Sequence, residues 1–162
     1  MSLARALARF DGKHTAELKE ALPQAEADPQ ALLRACLDPS SEIAATWIAK
    51  ALIETGREQF EPAELFILLP RLSAPEAQLH VLQCIQHAPN AALDQADTVR
   101  TLLQNRKTLV RVWALDAFVR IADQRAELQR QARALVSAAL DAKAASERAR
   151  ARKLQEVVAR WP

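Results

Sequence analysis

The feature that most constrains this chain is a repeat of apolar positions at an interval of 33 residues through its middle part. When three segments are superposed at this interval without gaps, apolar side chains fall into shared columns. The columns are Leu32/Leu65, Leu33/Phe66/Val99, Cys36/Leu69/Leu102, Ala44/Ala77/Val110, Ile48/Val81/Ala114, Ala51/Cys84/Ala117 and Leu52/Ile85/Phe118. The last four are spaced i, i+4, i+7 and i+8, which places them on one face of an α-helix.

Each segment is therefore predicted to be a pair of antiparallel helices joined by a short turn. The predicted organisation is a single domain with an N-terminal helical cap (1–27), three repeats (28–60, 61–93 and 94–124) and a C-terminal helical pair (125–162). The predicted helices cover 2–10, 14–22, 29–37, a stretch ending at 55, 62–72, a stretch ending at 87, 97–104, a stretch ending at 122, 125–140 and a stretch ending at 161. Gly56 marks a helix end, and Ala25 to Asp28 are predicted to be a linker.

Composition favours the same fold class. The chain has 34 alanines and 23 leucines but only 2 glycines and no tyrosine, which favours helices over strands and excludes a glycine-rich phosphate loop. No apolar run approaches the roughly 20 residues that cross a bilayer. Cys36 and Cys84 lack the spacing of a zinc site or a disulfide framework, so we expect reduced thiols and a cytoplasmic protein.

One such hairpin cannot bury its apolar face alone, so the hairpins are expected to stack into a short α-solenoid of about nine or ten helices. The first repeat, 32–43, has an apolar helix, the pair Asp38-Pro39, then Ser41-Glu42 and Ile43, and the third has the pair Val110-Arg111. These features resemble the HEAT-like and armadillo-like repeats. The resemblance covers about 28–123 well and implies a concave face, formed by the second helices, that binds partners.

A candidate binding surface lies beside the apolar columns of the second helices. Aligned positions there hold Trp47, His80 and Trp113, and neighbouring positions hold Lys50, Gln83, Asp116 and Arg120. As a functional surface, the two indoles and the imidazole would anchor a peptide or stack on a base. Alternatively, the tryptophans fill gaps between adjacent hairpins.

Charge is distributed unevenly along the chain, although its net value is only +2. Residues 1–99 hold 8 basic against 14 acidic side chains, and residues 100–162 hold 14 against 6. Arg106, Lys107 and Arg111 are predicted to steer an anionic partner, either an acidic protein or a nucleic acid. Self-association and an ordinary solvated surface are the other interpretations.

Catalytic motifs are sparse. His80, Cys84 and His87 are spaced like a metal site, but Cys84 falls in an apolar column, so we expect no metal, no cofactor and no catalytic residue. Some alkylpurine DNA glycosylases are built from HEAT-like repeats, and Trp113 and Asp116 are similar in type to the residues that this resemblance implies. We therefore expect a non-enzymatic protein-interaction module, with nucleic-acid binding, including a DNA glycosylase, as the alternative and no membrane partner.

Overall fold

The computed structural model describes residues 1–162 and is entirely helical, with no strand, which confirms the predicted all-α class. The α-helices are α1 (Leu3–Arg9), α2 (Ala16–Glu20), α3 (Leu22–Ala27), α4 (Pro29–Cys36), α5 (Glu42–Glu54), α6 (Pro62–Phe66), α7 (Pro75–Cys84), α8 (Ala96–Leu102), α9 (Thr108–Gln124), α10 (Gln129–Ala139) and α11 (Ala145–Val158). Short 3-10 helices occupy Leu69–Arg71, Ile85–His87, Pro89–Gln95 and Ala126–Leu128. None of the helices combines the length and the apolar character that spanning a membrane requires.

The chain forms two compact units, Met1–His87 (unit 1) and Ala88–Pro162 (unit 2). In unit 1, α4 packs against α5, α5 packs against α7, and α2 and α3 cover α5. In unit 2, α8 packs against α9, α9 packs against α11, and α10 contacts both α9 and α11.

The predicted apolar columns form the core of each unit. Every side chain in them is buried except Ala51, which is half-buried. Phe66, Ile48 and Leu52 fill unit 1, and Phe118 and Ile121 are among the fully buried side chains of unit 2. Burying apolar surface of this kind is the main favourable contribution to folding.

Gly56 ends α5 as predicted. Its φ of +67° is a conformation that side-chain-bearing residues rarely adopt, and it lets the backbone turn back on the helix. The Gly56 N–H donates to the Ile53 carbonyl at 3.1 Å and the Arg57 N–H donates to the Leu52 carbonyl at 3.0 Å, which is the Schellman pattern.

Two local predictions were wrong. The segment predicted as a linker belongs largely to α3, because Pro23 lies in the first turn of that helix, where its missing N–H costs nothing, and Ala25 is buried against the rest of unit 1. The helix predicted over 62–72 ends at Phe66. Pro70 cannot donate a hydrogen bond to the Phe66 carbonyl, so the chain continues as the 3-10 helix Leu69–Arg71.

The second helices within each unit run parallel. In unit 1, Glu42 at the start of α5 meets the start of α7, and Thr46, one turn further on, meets His80. In unit 2, three links join α9 and α11 in the same order along both helices: Arg111 to Glu147, Asp116 to Arg150, and Asp123 to Trp161.

Candidate functional site

The most organised polar group in unit 2 is a cluster of four side chains, Trp113, Asp116, Arg120 and Arg150, which we call the tryptophan–arginine cluster. Helix α9 supplies the first three on one face, and α11 supplies Arg150. Arg150 Nη1 donates to Asp116 Oδ2 at 3.2 Å, and Arg120 Nε donates to Asp116 Oδ1 at 3.4 Å. The Arg150 guanidinium lies 4.1 Å from the centre of a Trp113 ring, which is the arrangement of a cation–π contact.

Asp116 is not a surface contact residue, contrary to the prediction. Its side chain is 1% exposed, and each of its oxygens accepts from a different arginine. Arg150 and Arg120 remain 21% and 34% exposed, and Trp113 is half-buried. The carboxylate therefore positions two guanidiniums from below, and the exposed part of the cluster carries an excess positive charge.

Unit 1 contains the other predicted contact residues, Trp47, Lys50, His80 and Gln83. All four are half-buried. His80 Nδ1 lies 3.0 Å from the hydroxyl of buried Thr46, and Lys50 pairs with Glu54 at 3.3 Å. Burial and the nearby Lys50 charge lower the pKa of His80 to about 4, so the imidazole is neutral at pH 7.

The predicted steering residues divide into two kinds. Arg106 and Lys107 are exposed and form no ion pair or side-chain hydrogen bond. Arg111, in contrast, donates to both oxygens of Glu147, at 2.8 and 3.3 Å, and to the carbonyl of Asn105. Its prediction as a steering residue is therefore corrected, because its charge is matched and its donors hold the turn before α9.

The sulfur and imidazole groups do not form a reactive centre. Cys36 and Cys84 are free and buried, and burial raises the pKa of the Cys36 thiol to about 12 and that of Cys84 further, so neither is a ready thiolate. Cys84 donates to the His80 carbonyl at 3.1 Å, while His87 is exposed. No three His, Cys, Asp or Glu side chains lie close enough together to hold a metal ion.

Arg150 is the site residue that sequence reasoning missed. The apolar pattern of α11 predicts an apolar side chain there, and the 33-residue interval does not reach this helix. The structure supplies the missing register, because Arg111 and Arg148 both occupy the fourth position of their helices. Both donate to the carbonyls of the turn before them, and counting from that shared position aligns Arg150 with Trp113.

Comparison with known proteins gave no relative. The chain matches no protein-family model, no curated protein and no solved structure. Functional inference therefore depends on the geometry of the two units alone.

Proposed function

We propose that this protein is a small, non-enzymatic partner-binding module built as a short α-solenoid of HEAT-like helical hairpins. It binds a protein partner along the edge of its second helices. The contact residues are Trp47, Lys50, His80 and Gln83 in unit 1, and Trp113, Arg120 and Arg150 in unit 2.

The tryptophan–arginine cluster is the observation that supports this proposal. Tryptophan and arginine are the side chains most enriched among residues that dominate protein interfaces. Here Trp113 and Arg150 are in contact and partly exposed, and Asp116 fixes the guanidinium from beneath. Such an arrangement lowers the entropic cost of binding, because the contact groups are already ordered before the partner arrives.

The order and packing of the helices within each unit support the proposed architecture. Helices α5 and α7 are parallel neighbours, and so are α9 and α11, each following a first helix of its own. In a stack of helical hairpins, second helices that run parallel within a unit are the expected order.

The state of the titratable groups weighs against an enzyme. A catalytic carboxylate must reach a substrate, whereas both oxygens of Asp116 are held by arginines and its side chain is 1% exposed. The same observation weighs against a DNA glycosylase that uses this aspartate.

Nucleic-acid binding is the second candidate, because unit 2 carries many unpaired cations. Binding of a fluorescein-labelled duplex or single-stranded DNA should then weaken log-linearly and steeply as salt increases. A contact anchored by tryptophan and arginine stacking should respond to salt far less. We expect no saturable DNA binding at physiological ionic strength.

Affinity capture tests the proposed function. The immobilised chain is exposed to native lysate, and captured proteins are quantified for the wild type, Trp47→Ala, Arg120→Ala and Ile67→Ala. The matched control is Ile67→Ala, since Ile67 is 61% exposed but lies on the turn after α6. A specific partner should fall about tenfold for the first two variants and be unchanged for the control. Equal capture by all four proteins at unchanged melting temperature would refute the proposed surface.

A further inference from the structure

Unit 2 contains an apolar groove that the proposed function does not use. It lies between the C-terminal parts of α8 and α10 and has a volume of about 210 Å³. Its apolar walls include Leu103, Val112, Leu115, Leu135, Ala139 and Ala142. Gln104 and the Arg111–Glu147 ion pair also line it, so the one carboxylate in the groove is already matched by a guanidinium. Because a cavity of about 150 Å³ lined by apolar side chains admits benzene, this groove has room for one leucine-sized or phenyl-sized side chain.

Three unpaired cations lie in the two turns that supply lining residues of the groove, close in sequence to Gln104 and Ala142. Arg106 and Lys107 lie in the turn after α8, and Lys143 lies in the turn after α10, and none of the three forms an ion pair or a side-chain hydrogen bond. The single unpaired carboxylate in these turns is Asp141.

Arginine side chains form hydrogen bonds with backbone carbonyls in both turns. Arg111, whose side chain lines the groove, donates to the Arg106 carbonyl at 3.2 Å. Arg148 donates to the carbonyls of Ala142 and Lys143, each at 2.7 Å. These bonds fix the backbone at Arg106 and Lys143, and Lys107 follows Arg106 directly, so the three unpaired cations start from ordered turns next to lining residues.

A groove in unit 1 offers an internal comparison. It lies between α4 and α6, has a volume of about 230 Å³ and is lined by Leu33, Leu37, Ile67 and Leu68. Leu37 aligns with Leu103 when the sequence is shifted by two repeat intervals. At the same shift, Ser40 and Ser41 align with Arg106 and Lys107. The unit 1 groove therefore has a similar apolar floor. Its wall holds one unpaired cation, Arg34, and one carboxylate, Glu64, but its first turn contains Asp38 and no cation.

We propose that the unit 2 groove binds a short acidic segment of a partner protein. One bulky apolar side chain of the segment enters the groove between α8 and α10, and carboxylates on either side of it meet Arg106, Lys107 and Lys143. Charge complementarity favours an acidic peptide over a neutral one, and the apolar walls favour a peptide over a nucleic acid, whose backbone offers phosphates but no aliphatic anchor.

A second copy of this chain fits the groove less well. The acidic stretch of the chain that contains an aromatic residue is Glu58 to Glu61, and its Phe60 is 3% exposed and packed within unit 1. That segment could enter another molecule only after partial unfolding of its own unit.

Fluorescence anisotropy with synthetic peptides tests the proposal. The probe is a short fluorescein-labelled peptide with one central phenylalanine flanked by glutamates. Comparison peptides replace the phenylalanine by serine or the glutamates by lysines. The first peptide should bind the wild-type chain saturably and at least about tenfold more tightly than either comparison peptide.

Two chain variants locate the site. The R106S/K107S variant gives unit 2 the serines that unit 1 has at the equivalent positions, and should weaken binding about tenfold at low salt. Replacing exposed Ala138 on the groove wall, as Ala138→Trp, should abolish binding by filling the groove. The control R130S/R160S removes two other unpaired cations of unit 2 and should change affinity less than about twofold.

Several results would overturn the proposal. They are equal binding of the phenylalanine and serine peptides, undiminished binding to a folded Ala138→Trp chain, and an equal loss for R106S/K107S and R130S/R160S. Should circular dichroism show that Ala138→Trp does not fold, Ala138→Met takes its place. Sedimentation that shows a dimer dispersed by the groove variant would identify a second copy as the occupant and also refute the acidic segment.

Discussion

In unit 1 the charged side chains that bond to backbone groups beside the helices are carboxylates, whereas in unit 2 they are guanidiniums. Asp28 accepts a backbone N–H at the start of α4, and Glu42 accepts three hydrogen bonds at the start of α7. In unit 2, Arg111 and Arg148 donate to turn carbonyls, and Arg133 donates to the carbonyl of Trp161. The two units thus satisfy backbone groups of opposite polarity with side chains of opposite charge.

Because of this difference, the net charge of each unit is not the same as the charge that it exposes to a partner. The unpaired exposed ions of unit 1 are Arg5, Lys13, Lys19, Arg34, Arg71, Glu20, Glu58, Glu61 and Glu76. Those of unit 2 are Arg106, Lys107, Arg130, Lys143, Arg152, Lys153, Arg160, Asp94, Asp141 and Glu156. The acidic character of the N-terminal half is therefore largely absorbed by its own backbone and ion pairs, while the basic excess of unit 2 faces solvent.

The sharpest test of the comparison concerns Asp116, the buried carboxylate of unit 2. Asp116→Asn leaves Arg120 and Arg150 without a negative partner, and the free energy of unfolding should fall by about 3 kcal/mol, less than for a fully buried pair because both arginines are partly exposed. Urea denaturation measures the loss. The control Asp94→Asn removes an exposed, unpaired carboxylate of the same unit and should change stability by less than about 0.5 kcal/mol. Equal effects of both substitutions would contradict a structural role for the Asp116 pairs.

Glu42 provides the matching test in unit 1. Glu42→Ala leaves the N–H groups of Ser73 and Ala74 and the Ser73 hydroxyl without their acceptor, and should cost about 2 kcal/mol in the free energy of unfolding. Glu76→Ala removes an exposed carboxylate in the first turn of the same helix and should cost about 0.5 kcal/mol through the helix dipole alone. If chemical denaturation gives the two variants the same midpoint, the bonds from Ser73 and Ala74 to Glu42 do not stabilise the start of α7.

His80 distinguishes the units by pH, since the aligned position in unit 2 is Trp113. The pKa of His80 is about 4 in the folded chain and about 6.5 when unfolded, so the unfolded state binds the proton more readily between those values. Stability should therefore fall as pH decreases, by about 2 kcal/mol at about pH 5 relative to neutral pH.

Urea denaturation across pH measures this fall, and His80→Asn should remove most of it. The control is His87→Asn, which replaces an exposed imidazole and should retain the fall. An unchanged slope in His80→Asn would assign the pH dependence to other groups.

The smallest expected effect is a difference in the free energy of unfolding between two variants of α11, one at an arginine that is hydrogen-bonded and one at an arginine that is not. Arg148→Ala removes donors to the carbonyls of Ala142 and Lys143 and should lower the free energy of unfolding by about 1 kcal/mol. Arg152→Ala removes an unpaired exposed cation and should change it by less than about 0.5 kcal/mol. Thermal denaturation of the two variants side by side is sufficient, and a reversed order would remove the proposed role of guanidiniums in unit 2.

Sequence reasoning succeeded where the information is local or periodic. The helical class, the buried columns and the end of α5 at Gly56 follow from side-chain spacing and from backbone conformation. It failed where two distant side chains decide the outcome. Asp116 lies beside the apolar columns on a helical wheel, and only the arrival of Arg150 from α11 explains its burial. The groove between α8 and α10 likewise could not be predicted, because its shape depends on how these two helices pack in three dimensions.

The bonds that Glu42 makes to the residues just before α7 bear on whether this part of the chain could fold the same way in another setting. Helix ends are commonly completed by side chains that lie close in sequence. Here the acceptor for the N–H groups of Ser73 and Ala74, which lead into α7, lies at the start of α5, 31 residues upstream of Ser73. If the segment from Ser73 through α7 were moved into another protein, both N–H groups would lack an acceptor unless a new neighbour supplied a carboxylate at the same place.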